Sequence, residues 1–205
     1  LKVVEVTPYR LEGEYSDNRH PDTVIFSQKI EDDLKRRDFT MNSLAYSVSK
    51  KEIIDLFDGE RDIKDKVIRT VGDSVSRFKE DGLRILRAVR FSAELGFEIE
   101  AGTEKAIFEN SELLKNISLE RIRDEFTKMI MSARPMDSLI AMKKLGLLSY
   151  IIPELENTIG VEQNRAHSYD VWEHLLRSLQ GAADKNYPLD LRLAALLHDI
   201  SKPES

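Results

Sequence analysis

The sequence contains no cysteine, so neither a disulfide bond nor a thiolate metal site can form. It has no apolar run approaching the ~18 residues that span a bilayer, and its first residues, LKVVEV, do not resemble a signal peptide. Glycine is scarce, with 9 among 205 residues, while 33% of the residues are charged and 41% are hydrophobic. These features predict a cytoplasmic, globular protein that is mostly helical.

Acidic residues outnumber basic ones, and the formal net charge of −6 at pH 7 argues against indiscriminate coating of nucleic acid. A local stripe of arginines can still bind RNA on an acidic protein. The chain begins with Leu1 rather than Met and stops shortly after an apolar segment. We therefore expect it to be part of a longer protein.

Up to Gly59 the sequence pattern is mainly typical of β-strands, and from Gly59 onward the hydrophobic residues recur with the period of helices. We predict strands at residues 3–7, 24–26 and 53–57, a polar loop at 9–21, and a helix that Thr40 caps and that runs through Ala45. Helices are then predicted at residues 62–66, 74–95 (as one or two helices), 103–109, 119–132, 136–145, 169–183 and 190–200, with Gly96 and Gly146 just past helix ends.

A segment predicted to be helical, residues 80–91, gives the first functional hypothesis. Arg84, Arg87 and Arg90 share an arc of roughly 120°, and Asp81 lies one turn before Arg84. A carboxylate beside a guanidinium offers an acceptor next to donors. Cytosine and adenine present an amino donor beside a ring-nitrogen acceptor, and uracil and guanine present the opposite order, so such a pair would select C and A. The alternative is an ordinary i,i+3 ion pair on a solvated helix.

Two polar segments nearer the N-terminus are candidates for nucleotide contacts. Arg37, Asp38 and Asn42 combine charge-assisted donors with hydrogen-bond partners that suit a ribose, although the same residues also fit a solvated helix start. Three basic side chains in or beside the polar loop have the charge to close over a triphosphate, or to remain in water: Arg10, Arg19 and His20.

A third candidate site consists of His174 and the adjacent residues His198 and Asp199. Imidazole and carboxylate groups from two helices can converge on nickel, zinc or iron. Adjacent residues on a helix do not face one way, and we expect a working site to need another carboxylate further along the chain. The segment therefore predicts either a divalent metal site or surface histidines without a ligand.

Four segments occur in a characteristic order: DNRHP at residues 17–21, RRDFTMNS at 36–43, DLFDGERDI at 55–63 and EDGLR at 80–84. Together they resemble the motifs of the bacterial-type (class II) tRNA nucleotidyltransferases, the CCA-adding enzymes and their poly(A) polymerase relatives. RRDFTMNS is similar to the family motif RRDFTxNA with Ser43 in place of Ala, and EDGLR is similar to the EDxxR template for the incoming base. The resemblance runs from about Leu1 to Pro203.

The resemblance implies an α+β, mostly α fold in three parts. Residues 1–70 would be the end of a nucleotidyltransferase head sheet, residues 71–155 a helical neck with the nucleotide template and RNA-binding surface, and residues 156–205 the start of a helical, HD-like body. Within the head and neck, the resemblance implies that the incoming nucleotide is contacted by Arg37, Asp38 and Asn42, that its base is read by Asp81 and Arg84, and that phosphates or the template are supported by Arg87 and Arg90.

The resemblance also implies cofactors and partners. The partners would be CTP, ATP and the acceptor or top half of tRNA, and the parent enzyme would use Mg²⁺ held by an Asp-x-Asp pair upstream of Leu1. We therefore expect the chain alone to be inactive. In members with an HD phosphohydrolase body, His174, His198 and Asp199 match the positions that hold a second divalent metal, although Ser201 replaces the usual Gly.

Three functions follow from these observations. The first is template-independent addition of C and/or A nucleotides to the 3′ end of tRNA, in which the sequence leaves CCA, CC-only and A-only addition open. The second is a metal-dependent HD phosphohydrolase. The third is a non-catalytic helical RNA-binding module that uses the arginine stripe.

Overall fold

The computed structural model describes residues 3–13, 15, 22–162 and 169–204. Within these residues the protein is α+β and mostly α, with eleven α-helices and with six short strands that pair into three two-stranded sheets. This confirms the fold class expected from the sequence. In the described part of the chain, no helix is both long enough and apolar enough to cross a membrane. The loop residues Arg19 and His20 lie outside the described residues.

The first two sheets are antiparallel pairs. β1 (Arg10–Glu12) pairs with β2 (Val24–Phe26), and β3 (Leu44–Ser47) pairs with β4 (Glu52–Asp55). The predicted strand at residues 3–7 is wrong, and Val3, Val4 and Val6 in this segment are 87%, 79% and 90% exposed. β-Branched residues favour a strand only where a neighbouring strand and a buried face exist, and the described part of the chain supplies neither here.

The segment after α1 (Ile30–Lys35) also differs from the prediction. Thr40 begins a one-turn 3₁₀-helix (Thr40–Asn42) that leads into β3, so the predicted helix through Ala45 is wrong. The Thr40 hydroxyl donates to Asp62 at 2.7 Å, and the Thr40 backbone N–H donates to the carbonyl of Arg69 at 2.9 Å. These two bonds come from residues far along the chain, and they hold the turn where local propensity favoured a longer helix.

Gly59 begins α2 (Gly59–Asp65) close against this turn. A Cβ atom at Gly59 would lie 2.3 Å from the carbonyl oxygen of Thr40, so the backbones approach too closely for any other residue. The carboxylate of Asp55 caps the helix by accepting hydrogen bonds from the backbone N–H groups of Gly59 and Glu60, both at 2.9 Å. Burial raises the pKa of Asp55, but these hydrogen bonds outweigh burial and leave the pKa below its usual value. The segment DLFDGERDI therefore holds RRDFTMNS in place.

The remaining elements form the helical part. β5 (Val67–Ile68) and β6 (Glu98–Ile99) form the third sheet, which is parallel. Gly96 and Gly146 both have φ +67°, as expected for residues just past helix ends. The helices are α3 (Ser74–Glu80), α4 (Leu83–Leu95), α5 (Ala101–Glu109), α6 (Leu119–Met131), α7 (Pro135–Lys144), α8 (Leu148–Ile151), α9 (Pro153–Glu156), α10 (Val171–Asp184) and α11 (Leu189–Leu197), with short 3₁₀ segments at Ser111–Asn116 and Lys202–Glu204.

Helix α4 lies at the centre of the core and packs against α6 and α7, while α10 packs against α7 and α11. Its apolar face is buried as the periodicity predicted, with Ile85, Leu86 and Val89 at most 1% exposed. Phe39, which precedes the 3₁₀ turn, is fully buried in the same apolar cluster. The core therefore fixes the RRDFTMNS segment against the helix that carries the predicted template.

Candidate nucleotide-binding cleft

A cleft of about 510 Å³ lies between the RRDFTMNS segment and the start of α4. The structure brings together most of the residues that the sequence predicted to contact a nucleotide or to support its template. Arg10 and Arg90 do not line the cleft, and Arg19 and His20 lie outside the described residues. The lining residues are Arg36, Arg37, Asp38, Asn42, Asp81, Leu83, Arg84, Arg87, Phe91 and Arg121.

Asp38 connects the two walls of this cleft. One carboxylate oxygen, Oδ1, accepts hydrogen bonds from the backbone N–H of Phe39 at 2.9 Å and from Nδ2 of Asn42 at 3.1 Å. The other oxygen, Oδ2, accepts from the guanidinium of Arg87 on α4 at 2.6–2.7 Å. Asp38 is 8% exposed, so this charge-assisted contact is strong and orients Asn42 and Arg87 around one carboxylate.

Arg37 stands at the outer rim of the same wall. Its Nη2 donates to Oδ2 of Asp33 at 2.9 Å, and its side chain is 45% exposed. Arg36 donates to Oδ1 of the same carboxylate at 2.6 Å and to Glu12 on β1 at 3.0 Å. Burial raises the pKa of Asp33, but the hydrogen bonds from both arginines outweigh it and lower that pKa. Asp33 therefore stays ionised and holds two positive charges at the cleft.

Asp81 occupies a break between two helices. Because α3 ends at Glu80 and α4 begins at Leu83, the prediction that Asp81 and Arg84 lie on one continuous helix is wrong. Asp81 has an extended backbone, with φ −149°, and its Oδ1 accepts from the backbone N–H of Leu83 at 3.1 Å. Its carboxylate also accepts two hydrogen bonds from Arg121 on α6, at 2.7 and 3.1 Å. The sequence analysis missed Arg121, because nothing local links residue 121 to residue 81.

Arg84 is held by a different set of partners. Its Nη1 donates to Glu80 at 2.5 Å and to the carbonyl of Arg77 at 3.1 Å, and its Nη2 donates to the carbonyl of Arg36 at 3.1 Å. Among the described residues, Asp81 and Arg84 therefore pair with Arg121 and Glu80 and not with each other. Both still line the cleft, so an acceptor and a group of donors face the same space.

Arg90, which the resemblance implied would support phosphates or the template, lies outside the cleft. It is 9% exposed, and its Nε donates to Glu125 on α6 at 2.7 Å while its Nη1 donates to Glu94 at 2.7 Å. Its guanidinium also lies 4.0 Å from the centroid of the Phe91 ring. Arg90 therefore joins α4 to α6 behind the cleft.

The three predicted metal ligands lie together. His174 Nε2 is 3.0 Å from His198 Nε2, and Asp199 Oδ2 is 3.3 Å from His198 Nε2 and 3.6 Å from His174 Nε2. The sequence argument that adjacent residues face apart does not apply, because α11 ends at Leu197 and the pair lies in the following turn.

This cluster has a donor set that fits a divalent transition metal. Two imidazole nitrogens and one carboxylate oxygen all lie within 4.8 Å of one another. Lys202 Nζ lies 2.6 Å from Asp199 Oδ2, and this hydrogen bond is the main reason that the pKa of Asp199 is lowered. A metal bound here would compete with that ammonium group for the carboxylate.

Two family models match parts of this chain. Residues 1–69 match a family model described as the poly(A) polymerase head domain, and residues 96–159 match one described as a probable RNA- and SrmB-binding site of polymerase A. The chain belongs to the poly(A) polymerase and tRNA nucleotidyltransferase family.

Several characterised relatives resemble the chain closely. A CCA-adding enzyme of Leuconostoc mesenteroides is 43% identical over 182 residues, which cover 86% of this chain and 45% of that enzyme. A CCA-adding enzyme of Bacillus stearothermophilus, solved with CTP, is 33% identical with a TM-score of 0.67, over 97% of this chain and 52% of that one. A tRNA nucleotidyltransferase solved with a primer tRNA and an incoming ATP analogue is 31% identical with a TM-score of 0.65, over 84% and 51%. The chain thus spans about half the length of these relatives.

Proposed function

We propose that the protein adds C and/or A nucleotides to the 3′ end of tRNA and that this chain selects the incoming nucleotide. The observation that carries the proposal is the cleft, in which the RRDFTMNS segment and the EDGLR segment face one space of about 510 Å³. Relatives with the same fold include CCA-adding enzymes, one of them solved with CTP. The work of such an enzyme on tRNA would take place in the cytoplasm.

Base selection is assigned to Asp81 and Arg84. The carboxylate of Asp81 would accept from the amino group of cytosine or adenine, and the guanidinium of Arg84 would donate to the adjacent ring nitrogen. Uracil and guanine would place a carbonyl against the carboxylate and an N–H against the guanidinium. Each polar group left unpaired in this way costs about 1–3 kcal/mol, which is enough to discriminate against U and G.

The sugar and phosphates are assigned to the opposite wall. Asn42 and Asp38, which share a hydrogen bond, would contact the ribose, and Arg37 at the rim would contact the phosphates. Arg87 would support this wall by neutralising Asp38. Arg90 would act only by holding α4 against α6.

Mg²⁺ would shield the triphosphate and activate the attacking 3′-hydroxyl during transfer. Among the described residues, the group of three or more histidine and carboxylate side chains that could hold a metal ion is His174, His198 and Asp199. That group contains imidazoles, which suit transition metals better than Mg²⁺. The described residues of this chain are therefore proposed to bind and select the nucleotide, not to hold the Mg²⁺ of the transfer step.

We propose that three successive parts of the chain have different roles. Residues 1–70 would be part of the head, residues 71–155 the neck that selects the base, and residues 156–205 part of a body that contacts the top half of tRNA. An A-form stem is recognised mainly through its shape, its phosphates and its 2′-hydroxyl groups, so binding to tRNA should exceed binding to DNA and should weaken with salt.

A second candidate activity, a metal-dependent HD phosphohydrolase, rests on the cluster of His174, His198 and Asp199. Those three residues would hold the metal, which would supply a Lewis acid and an activated water. The close approach of the three ligand atoms favours metal binding. This activity would coexist with nucleotide addition, because the cluster and the cleft share no residue.

The experiment that tests the main proposal compares Asp81→Ala and Arg84→Ala in the full-length gene product. The substrate is tRNA that lacks its 3′ CCA, and the measured quantity is kcat/KM for each of the four nucleoside triphosphates. Loss of a hydrogen bond to a charged group is worth about 1.5–3 kcal/mol, or roughly 10- to 150-fold, so the preference for CTP and ATP over UTP and GTP should fall by that factor.

The matched controls are Asp65→Ala and Arg61→Ala, which remove an exposed ion pair on α2 with 52% and 78% of each side chain exposed. Both controls should keep wild-type base preference. Equal loss of activity with all four nucleotides in the Asp81 and Arg84 variants would contradict the assignment, because a damaged fold affects every substrate alike.

A further inference from the structure

Arg192 on α11 is a buried arginine whose partners are all backbone carbonyl groups. It is 4% exposed, and within the described part of the chain it forms no ion pair with a carboxylate. Its Nη1 donates to the carbonyls of Ile130 and Ser132, at 2.9 and 2.8 Å. Its Nε donates to the carbonyl of Tyr187 at 2.8 Å, and its Nη2 donates to the carbonyl of Ala183 at 3.4 Å.

The accepting carbonyls lie at the ends of two helices. Helix α6 ends at Met131 and helix α10 ends at Asp184, so the carbonyls of Ile130 and Ala183 belong to the last turns. The last four carbonyls of a helix have no partner within it and carry the negative end of the helix dipole. A buried charge is costly unless such groups surround it. The guanidinium of Arg192 therefore caps α6 and α10 at once and ties both to α11.

Gln180 on α10 makes a second link to the same place. Its Nε2 donates to the carbonyl of Ala133 at 2.9 Å, and its Oε1 accepts from the backbone N–H of Met136 at 3.4 Å. The connection between α6 and α7 is thus held from α11 by Arg192 and from α10 by Gln180. Hydrogen bonds are directional and apolar contacts are not, so these bonds fix the angle at which the helices meet.

This joint lies between the two parts of the chain that are proposed to contact tRNA. Helices α6 and α7 belong to the proposed neck and to the segment that matches the RNA-binding model, whereas α10 and α11 belong to the proposed body. Helix α6 has 13 residues and is about 20 Å long. Its first turn reaches the cleft, where Arg121 is a lining residue. The joint at its other end therefore sets the position of the body relative to the cleft.

We propose that Arg192 is a positioning residue for the tRNA primer, which acts by holding the neck and the body as one RNA-binding surface. An RNA that contacts both parts at once gains affinity when their relative position is fixed beforehand. This inference rests on the proposed function and extends it to the choice of primer. Arg192 itself does not contact RNA, because its side chain is buried.

The test uses the full-length gene product carrying Arg192→Gln, with CTP at saturation and two primers. One primer is tRNA that lacks its 3′ CCA, and the other is a hairpin that carries only the last base pairs of the acceptor stem. The KM for tRNA should rise at least about 5-fold, the lower end of the usual coupling between two sites, and the KM for the hairpin should not change. The preference for CTP over UTP should also stay, because α6 remains bound to α4 through Arg90 and Glu125.

The comparison of primers separates positioning from a defect of folding. A smaller fraction of folded enzyme lowers kcat with both primers and leaves both KM values as they were. Gln180→Ala removes the second link and should raise the KM for tRNA in the same direction, so it carries the test if Arg192→Gln does not fold. The control Arg61→Gln removes an arginine on α2 with 78% of its side chain exposed and should keep both wild-type KM values.

The outcomes also separate this inference from the proposed function. A wild-type KM for tRNA in folded Arg192→Gln, or an equal rise for both primers, would overturn the role of Arg192 and leave nucleotide addition intact. A wild-type enzyme that extends both primers with the same KM would overturn the proposed contact between the body and tRNA, and the role of Arg192 with it. A full-length wild-type enzyme that extends neither primer would overturn the proposed function itself.

Discussion

The buried ion pair between Arg90 and Glu125 gives the prediction that the structure supports in most detail. Only 11% of the Arg90 side chain and 3% of the Glu125 side chain are exposed, and the two charged groups meet at 2.7 Å. Burial raises the pKa of Glu125, but hydrogen bonds from Lys128 and Arg90 outweigh it and lower that pKa, so the carboxylate stays ionised. Removing Arg90 would leave this buried charge with Lys128 as its remaining partner.

The expected loss of stability can be set from that geometry. Breaking a buried pair by removing one member costs about 3–5 kcal/mol. Glu125 would keep Lys128 at 2.7 Å, although that side chain is 52% exposed, so Arg90→Met should lie at the lower end of the range, about 3 kcal/mol. The double variant Arg90→Met/Glu125→Leu should recover most of this loss, because replacing both charges with apolar groups is often neutral.

The measurement is urea-induced unfolding of the chain at pH 7. The control is Arg123→Met, at an arginine on the helix that carries Glu125 with 68% of its side chain exposed. The control should change the free energy of unfolding by at most about 0.5 kcal/mol. A loss below about 1 kcal/mol in Arg90→Met would show that the pair behaves as a solvent-exposed one and would refute the reasoning. An Arg90→Met variant of normal stability that no longer prefers CTP and ATP would instead indicate that Arg90 contacts the nucleotide.

Three further predictions concern the stability of the fold and the binding of a metal. Gly59→Ala should lower the free energy of unfolding by about 1–3 kcal/mol, since the new Cβ would meet the Thr40 carbonyl. Gly181→Ala, with open space around that position, should leave the free energy of unfolding unchanged or raise it. His174→Ala should abolish Ni²⁺ binding in calorimetry, and the adjacent Glu173→Gln should not; retained binding would exclude the cluster as the metal site. The pKa of Glu125 is lower in the folded protein than the unfolded value of about 4.3. Ionised Glu125 therefore stabilises the fold above that unfolded value, and this stabilisation is lost as the pH falls through the folded pKa. Glu125→Gln should flatten the acid side of the profile of stability against pH, and an unchanged slope would contradict that assignment.

The sequence by itself predicted most of the helices and most of the residues that line the candidate cleft. The apolar period of residues 83–95 predicted the buried face of α4, and Gly96 and Gly146 marked helix ends, because both signals depend only on neighbours in the chain. The resemblance of the RRDFTMNS and EDGLR segments to the family motifs also implied most of the residues that line the cleft.

The tertiary structure decided which charges pair. Asp81 binds Arg121, 40 residues away, and Asp38 binds Arg87, 49 residues away, whereas the sequence suggested that Asp81 would pair with Arg84. An ion pair forms with whichever partner the packing of the core brings within hydrogen-bond distance, and sequence spacing limits that choice only within one continuous helix. For the same reason Arg90 does not line the cleft, because the packing of α4 on α6 buries its side chain against Glu125. His198 and Asp199 lie beside His174 because α11 ends before them.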